Sequence, residues 1–162
     1  MVNSNNEFTV DAKQVIAMFD EFNSKLKKKT FTTALRKAAN ILWKQTITNL
    51  RQVVKRTRSK NRWNGKTLES GIRIKIAKSA QAAKVHLMGD FRLKFFEMGT
   101  ADRQVTKAKG KRLKKARYTG KIDAKRFFQK AKQTTESQVF NSIEQHLIEV
   151  IKKINEKYKW QE

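Results

Sequence analysis

Between Thr106 and Tyr118 the chain carries seven basic residues, Lys107, Lys109, Lys111, Arg112, Lys114, Lys115 and Arg117, and no acidic one. Such a run cannot enter a core, because unpaired charge is too costly to desolvate. Apolar anchors bracket it, Phe95-Phe96-Glu97-Met98-Gly99-Thr100 before and Phe127-Phe128 after. Any fold must therefore hold the run outside the body while packing the chain on either side. The expectation is an extended basic loop over residues 101–122. Like charges at this density repel unless counter-charge is near, so the loop belongs beside a large polyanion.

The rest of the composition bounds the body. A chain of 162 residues suits one domain, and a domain of that size buries roughly 70% of its unfolded surface. Ten Phe and three Trp supply bulk for a core despite an apolar fraction of 38%. Net charge is +24, from 38 basic and 14 acidic residues. That charge is a statement about partners: nucleic acid, an anionic membrane surface or acidic proteins. No segment approaches the roughly 18 apolar residues of a membrane span. The polar start, Met1 to Phe8, lacks the apolar stretch of a signal peptide, so an intracellular beginning is expected. Without cysteine there is no disulfide framework, thiolate metal site or cysteine nucleophile.

Periodicity then orders the elements. Phe8-Thr9-Val10 reads as a short edge strand and Asp11 as a helix N-cap. Val15, Phe19, Phe22 and Leu26 form one helical stripe that finishes at Lys25–Lys29. A second helix is expected from Thr32 or Thr33 to Val54, followed by a polar basic connector. From Gly71 the period changes to two: Ile72, Ile74, Ile76, then Ala83, Val85, Leu87, then Phe91, Leu93, Phe95. Those three runs predict an antiparallel meander. After the loop come a short helical piece near Ala124–Lys132 and a long helix from about Thr135. The fold class is α+β: two N-terminal helices, a three- to four-stranded antiparallel sheet, a long basic loop and a long C-terminal helix on the sheet.

Groups for catalysis are sparse. His86 and His146 each stand alone, without the spacing of a metal pair, and no glycine-rich phosphate loop exists. Asp90, Lys94 and Glu97 suggest a Mg²⁺ nuclease, but Asp90 reads better as a turn residue and the three share no common face of a strand. No catalytic residue, metal or cofactor is expected. Phosphate contact is the better reading for Lys107–Arg117, where no interleaved aromatic supports base stacking. For the connector Arg56, Arg58, Lys60 and Arg62, a wet connector and a secondary phosphate-facing surface stand side by side.

Three short motifs occur in a familiar order. Gly65-Lys66-Thr67-Leu68-Glu69-Ser70-Gly71-Ile72 precedes the first full strand, Phe95-Phe96-Glu97-Met98-Gly99-Thr100 ends the meander, and Arg126-Phe127-Phe128-Gln129-Lys130-Ala131 leads into the last helix. In this the chain resembles the tail-completion, or neck, proteins that join head to tail in tailed bacteriophages. The resemblance spans about residues 8–158. Arg126 and Lys130 stand where the family pattern has proline. Glu97, Gly99, Thr100 and Phe127 are the matched motif residues. Their expected roles are structural: a turn at Gly99, a local hydrogen bond from Thr100, a basic partner for Glu97 and a core plug at Phe127.

The resemblance implies a structural virion protein, assembled in the host cytoplasm and located in the neck or collar. It would form a closed six- or twelve-fold ring, docked on a portal or adaptor and on tail proteins. Double-stranded DNA would pass through the lumen, and no membrane is involved. The alternative needs only charge and loop: a free-standing, sequence-independent nucleic-acid-binding protein.

Overall fold

From Ser24 to Val53 no glycine or proline interrupts a sequence rich in good helix formers. In the computed structural model, which describes residues 7–11, 24–62, 64–108 and 111–159, this stretch is one helix, α1 (Ser24–Val53). Phe31, Leu35, Ala38, Leu42, Thr46 and Leu50 form its buried stripe, at steps of three and four. Thr46 is tolerated there because its hydroxyl donates to the Leu42 carbonyl at 2.7 Å. Lys25–Lys29 therefore open this helix rather than close an earlier one, correcting the expected boundary near Thr32. Nothing breaks the chain between them and Phe31, whose burial fixes the phase. The remainder of the first expected helix, Val15 through Phe22, lies outside the described residues.

A second long helix, here α3 (Phe127–Lys159), lies antiparallel to α1. Asn49 Nδ2 donates to the Phe127 carbonyl at 3.1 Å near one end, and Lys37 meets His146 at 3.1 Å further along. Phe127, Phe128, Ala131, Val139, Ile143 and Leu147 bury one face of α3. The expected break near Thr134 is absent. Thr134 and Thr135 donate their hydroxyls to the carbonyls of Lys130 and Ala131, so both sit within a continuous helix.

The sheet covers the other flank of α1, so the long C-terminal helix packs chiefly on α1 and not, as expected, on the sheet. Strands β1 (Glu7–Asp11), β2 (Arg73–Ile76) and β3 (Ala82–His86) form an antiparallel sheet in the order β1-β3-β2. Ile74 faces Val85 and Ile76 faces Ala83 in the register, while Lys75 and Lys84 share the outer face. Trp43 Nε1 of α1 donates to the Ile72 carbonyl at 2.9 Å and fixes helix to sheet.

The expected third strand of the meander is instead a helix, α2 (Arg92–Met98). The reason is a filled slot. The Gly89-Asp90 turn would return the chain beside β3, yet both edges of β3 are already paired, one with β2 and the other with β1. Given no edge, the segment buries Leu93 and Glu97, four residues apart, packs Phe96 partly against the core and turns Phe95 and Met98 outward.

The basic stretch is also ordered, as a hairpin: β4 (Arg103–Ala108) and β5 (Lys111–Gly120) form a second antiparallel sheet. An extended loop was expected because the charges repel. A ribbon meets that repulsion by sending successive side chains to opposite faces. Val105, Thr106, Tyr118 and Thr119 supply strand-forming residues toward its base. Among the described residues no helix is long and apolar enough to cross a membrane.

Gly71 is where α2 closes on the sheet. A Cβ there would lie 2.6 Å from Asp90 Cβ and 2.8 Å from the Asp90 backbone nitrogen. Gly71→Ala is expected to lower stability by about 2 kcal/mol through forced displacement of backbone, measured by urea unfolding.

Candidate polyanion interface

The hairpin needs a rigid base, and the motif around Glu97 supplies it. Helix α3 begins with amide groups that lack partners inside the helix. The Glu97 carboxylate, only 5% exposed, accepts from Phe128 N at 2.9 Å and Gln129 N at 3.0 Å. It thus caps α3 from another helix, where a negative charge also suits the dipole. The expected basic partner of Glu97 is replaced by these two amides.

Beyond Glu97 the two chain segments zip together. Lys125 N donates to the Phe96 carbonyl at 2.8 Å and Arg126 N to the Glu97 carbonyl at 3.2 Å. Thr100 N donates to the Ile122 carbonyl at 2.8 Å, and Ile122 N donates back to Thr100 Oγ1 at 3.0 Å. Gly99 lies between these links with φ of 75°, a left-handed-side conformation that favours glycine. A Cβ at Gly99 would come within 2.8 Å of both Ala124 N and Ile122 O. Gly99 turns the chain as the sequence suggested, whereas the Thr100 hydroxyl, expected to bond local backbone, instead accepts across the zip from Ile122, and Phe127, fully buried, seals the start of α3.

The zip continues into the hairpin. Tyr118 donates its hydroxyl to Asp102 Oδ1 at 2.7 Å, and Thr119 Oγ1 donates to the Arg103 carbonyl at 3.1 Å. The bond to Asp102 raises the Tyr118 pKa. Further out, Val105 pairs with Arg117 while Lys107 pairs with Arg112. One residue of β4, Thr106, is thus opposed by Leu113 to Ala116 of β5, a wide bulge that contains Lys114 and Lys115. Bulges bend and twist a ribbon and re-aim its side chains.

Burial in β5 does not alternate. Lys111, Arg112, Lys114, Lys115, Ala116, Arg117, Tyr118 and Thr119 are all exposed. A strand lying on the body would bury every second residue; among the side chains of residues 111, 112 and 114–119 none is covered on either face. Among the described residues no carboxylate pairs with Lys111, Arg112, Lys114, Lys115 or Arg117. Lys107 is placed by its backbone pairing, and Lys109 lies outside the described residues. The structure thus brings the described part of the basic run into one projecting element.

The connector is a different case. Arg56, Arg58, Lys60 and Arg62 are exposed, but they follow α1 in turns and belong to another element. Arg58 lies 3.7 Å from Glu69, which Arg51 also grips through Nε at 2.9 Å and Nη2 at 2.7 Å. The Arg51 guanidinium holds the Glu69 carboxyl down to about 2, with the Thr57 hydroxyl and Arg58 adding to it and burial opposing. Part of this surface is therefore neutralised by the protein itself.

The residues once suggestive of a nuclease are committed elsewhere. Arg92 holds Asp90 through Nη2 at 2.6 Å and keeps its carboxyl below the usual range, and Glu97 caps α3. Among the described residues no group of three or more His, Cys, Asp or Glu is placed to hold a metal. A 410 Å³ concavity lined by Trp43, Ile47, Arg51 and Ile72 contains Glu69, already gripped by Arg51. His146 is shifted down by burial and by nearby Lys37.

Sequence reasoning missed two features. Arg103 and Tyr118 extend the ribbon surface, Tyr118 being 60% exposed. Beside the zip, Phe91, Phe95 and Met98 are exposed at steps of four and three along one side of α2, with Phe91 and Phe95 in edge contact at 5.9 Å, and Met88 is exposed in the preceding turn. Their spacing of three and four was readable as a helix, but the alternation of the same segment read as a strand. Compared with family models, characterised proteins and solved structures, the chain matches none.

Two measurements test this account. Glu97→Ala leaves two helix amides without a buried acceptor and is expected to cost about 2–3 kcal/mol in chemical denaturation; Glu97→Gln, which keeps one acceptor oxygen but sets its NH2 against the second amide, is expected to recover only part of that. Glu69, depressed in the folded state, contributes stability above its ordinary value of 4.5 that is lost as pH falls toward about 2. The gap in melting temperature between wild type and Glu69→Gln should accordingly close between those two pH values.

Proposed function

We propose that this protein is a structural component of the neck of a tailed phage particle, with no catalytic role. The observation that carries the reading is the cationic hairpin, open on both faces and tied to the body by the Glu97-Gly99-Thr100 zip. In the proposed assembly, copies of the chain form a closed ring, six- or twelve-fold, between a portal or adaptor and the tail. Each subunit offers one patch to a different patch on the next. The exposed apolar side chains of Met88, Phe91, Phe95 and Met98 are suited to such a contact, since residues of this kind dominate the centres of protein interfaces. The hairpin then faces either the duplex in the lumen or an acidic neighbour. The high positive charge keeps lone subunits apart until partners of opposite sign are present.

A second reading is favoured by one observation: the hairpin is formed within a single protomer and needs no neighbour to complete it. It is that of a free-standing protein binding nucleic acid without regard to sequence. This reading calls for a monomer or dimer whose duplex binding weakens steeply with salt. The neck reading calls for stoichiometric rings beside portal and tail components.

Changing Lys111, Arg112, Lys114 and Lys115 together to Gln is expected to leave the circular dichroism spectrum and melting temperature unchanged and to impair particle assembly or DNA retention. Normal infectious particles from that variant, or electron micrographs of virions with no density for this chain at the collar, overturn the neck reading.

A further inference from the structure

The hairpin reads as a polyanion contact, but the form of that polyanion is open, and the placement of its charges narrows the choice. The register shifts between Val105 and Lys107, so the two ends of the ribbon are taken separately: Arg112 pairs with Lys107 beyond the bulge and Arg117 with Val105 before it. Within each end, consecutive strand residues send their side chains to opposite faces. Lys111 thus lies on the face opposite Arg112, and Tyr118 on the face opposite Arg117. Both faces therefore carry cations, and both are exposed. Lys114 and Lys115 sit between, in the bulge.

A flat acidic protein surface would neutralise one face and leave the other unpaired. A channel with anionic walls on both sides neutralises both. The major groove of B-form DNA is such a channel: it is about 12 Å wide, admits a two-stranded β-ribbon, and is flanked by two phosphate strands. Inserted edge-on, the ribbon stacks its two strands, about 4.8 Å apart, along the depth of the groove and turns one face to each phosphate strand. A-form RNA offers no equivalent, because its major groove is too deep and narrow for side chains and its minor groove is shallow.

Resting on the reading of the hairpin as a polyanion contact, we infer that the ribbon inserts edge-on into the major groove of double-stranded DNA. Arg112 meets the phosphates of one strand and Lys111 those of the other, and Arg117 adds a phosphate contact before the bulge. Lys114 and Lys115, carried on the bulge, follow the curvature of the groove. Arginine and lysine suit this task, since each neutralises phosphate without choosing a base. The paired bond from Tyr118 to Asp102 steadies the ribbon at the groove mouth. The contact is independent of sequence because it is made to backbone.

The test is fluorescence anisotropy on the full chain with four probes: a mixed-sequence DNA duplex of about 20 base pairs, the same duplex with glucosylated hydroxymethylcytosines filling its major groove, the matching RNA duplex, and polyglutamate. The expected result is at least tenfold tighter binding to the plain DNA duplex than to the other three. Lys111→Gln and the pair Arg112→Gln/Arg117→Gln should each weaken that binding, about threefold and about tenfold, and lower the salt slope by roughly one per cation removed. Equal affinity for plain and glucosylated duplexes overturns groove insertion while leaving phosphate contact in place. Affinity that falls with only one of these two variants overturns it also. Tightest binding to RNA overturns the choice of duplex, and tightest binding to polyglutamate overturns both the groove and the DNA reading of the hairpin. Because all three substituted residues are exposed, unchanged circular dichroism certifies that each variant is folded.

Discussion

Two amides at the start of a 33-residue helix find their acceptor in one carboxylate from a different helix. Glu97 sits where α2 ends, and its buried oxygens are the point from which the rest of the architecture is dimensioned. They set where α3 begins, and α3 in turn provides half of the apolar seam against α1. They also bring residues 96–100 alongside residues 122–126, so that the chain leaving the body and the chain returning to it run together. Between residues 96–100 and 122–126 the two segments are joined by backbone hydrogen bonds and by Thr100, and none of these links depends on the charged side chains further out. The body can therefore be assembled without regard to the ribbon's charge.

Much of this was legible in the residues. The α+β class followed from the change of period at Gly71, and the two real strands at Ile74 and Val85 followed from strict alternation. Gly99 and Phe127 were assigned the tasks they perform, while the Thr100 hydroxyl bonds across the zip to Ile122 rather than to local backbone. What failed was context. Phe91 to Phe96 alternates as well as any strand, and only the pairing of β1 with β3 removes its place in the sheet. A local pattern cannot report that an edge elsewhere is already occupied. The basic run was read as loop because mutual repulsion was weighed without the option of two opposite faces. Glu97 was given a basic partner in a chain rich in Arg and Lys; two amide donors at a helix start take that place within the protomer, and their proximity is a tertiary fact. The helical boundaries near Thr32 and Thr134 moved because threonine hydroxyls bond back into the helix they were expected to interrupt.

Charge and apolar surface are separated in this molecule in a manner that fits the proposed roles. The ribbon has exposed cations on both sides, and no carboxylate of the described residues offsets those of β5. The connector after α1 carries a similar density of arginine and lysine, yet Glu69 draws Arg51 and Arg58 toward itself. Equal sequence charge therefore yields unequal availability. The apolar side of α2 is adjacent in sequence to the zip, so a partner seated on Phe91, Phe95 and Met98 would lie near the ribbon's root. On the proposed reading, protein contact and DNA contact are served by neighbouring but distinct chemistry.

The zip has a mechanical side. The ribbon enters and leaves the body through a single pair of hydrogen-bonded segments, and the inner end of that pair is the carboxylate that caps α3. A load applied to the ribbon's tip is thus delivered along the zip to the first turn of a helix about 50 Å long, with little soft chain between to absorb it. A tug on the tip and the set of the long helix are, in this sense, one lever.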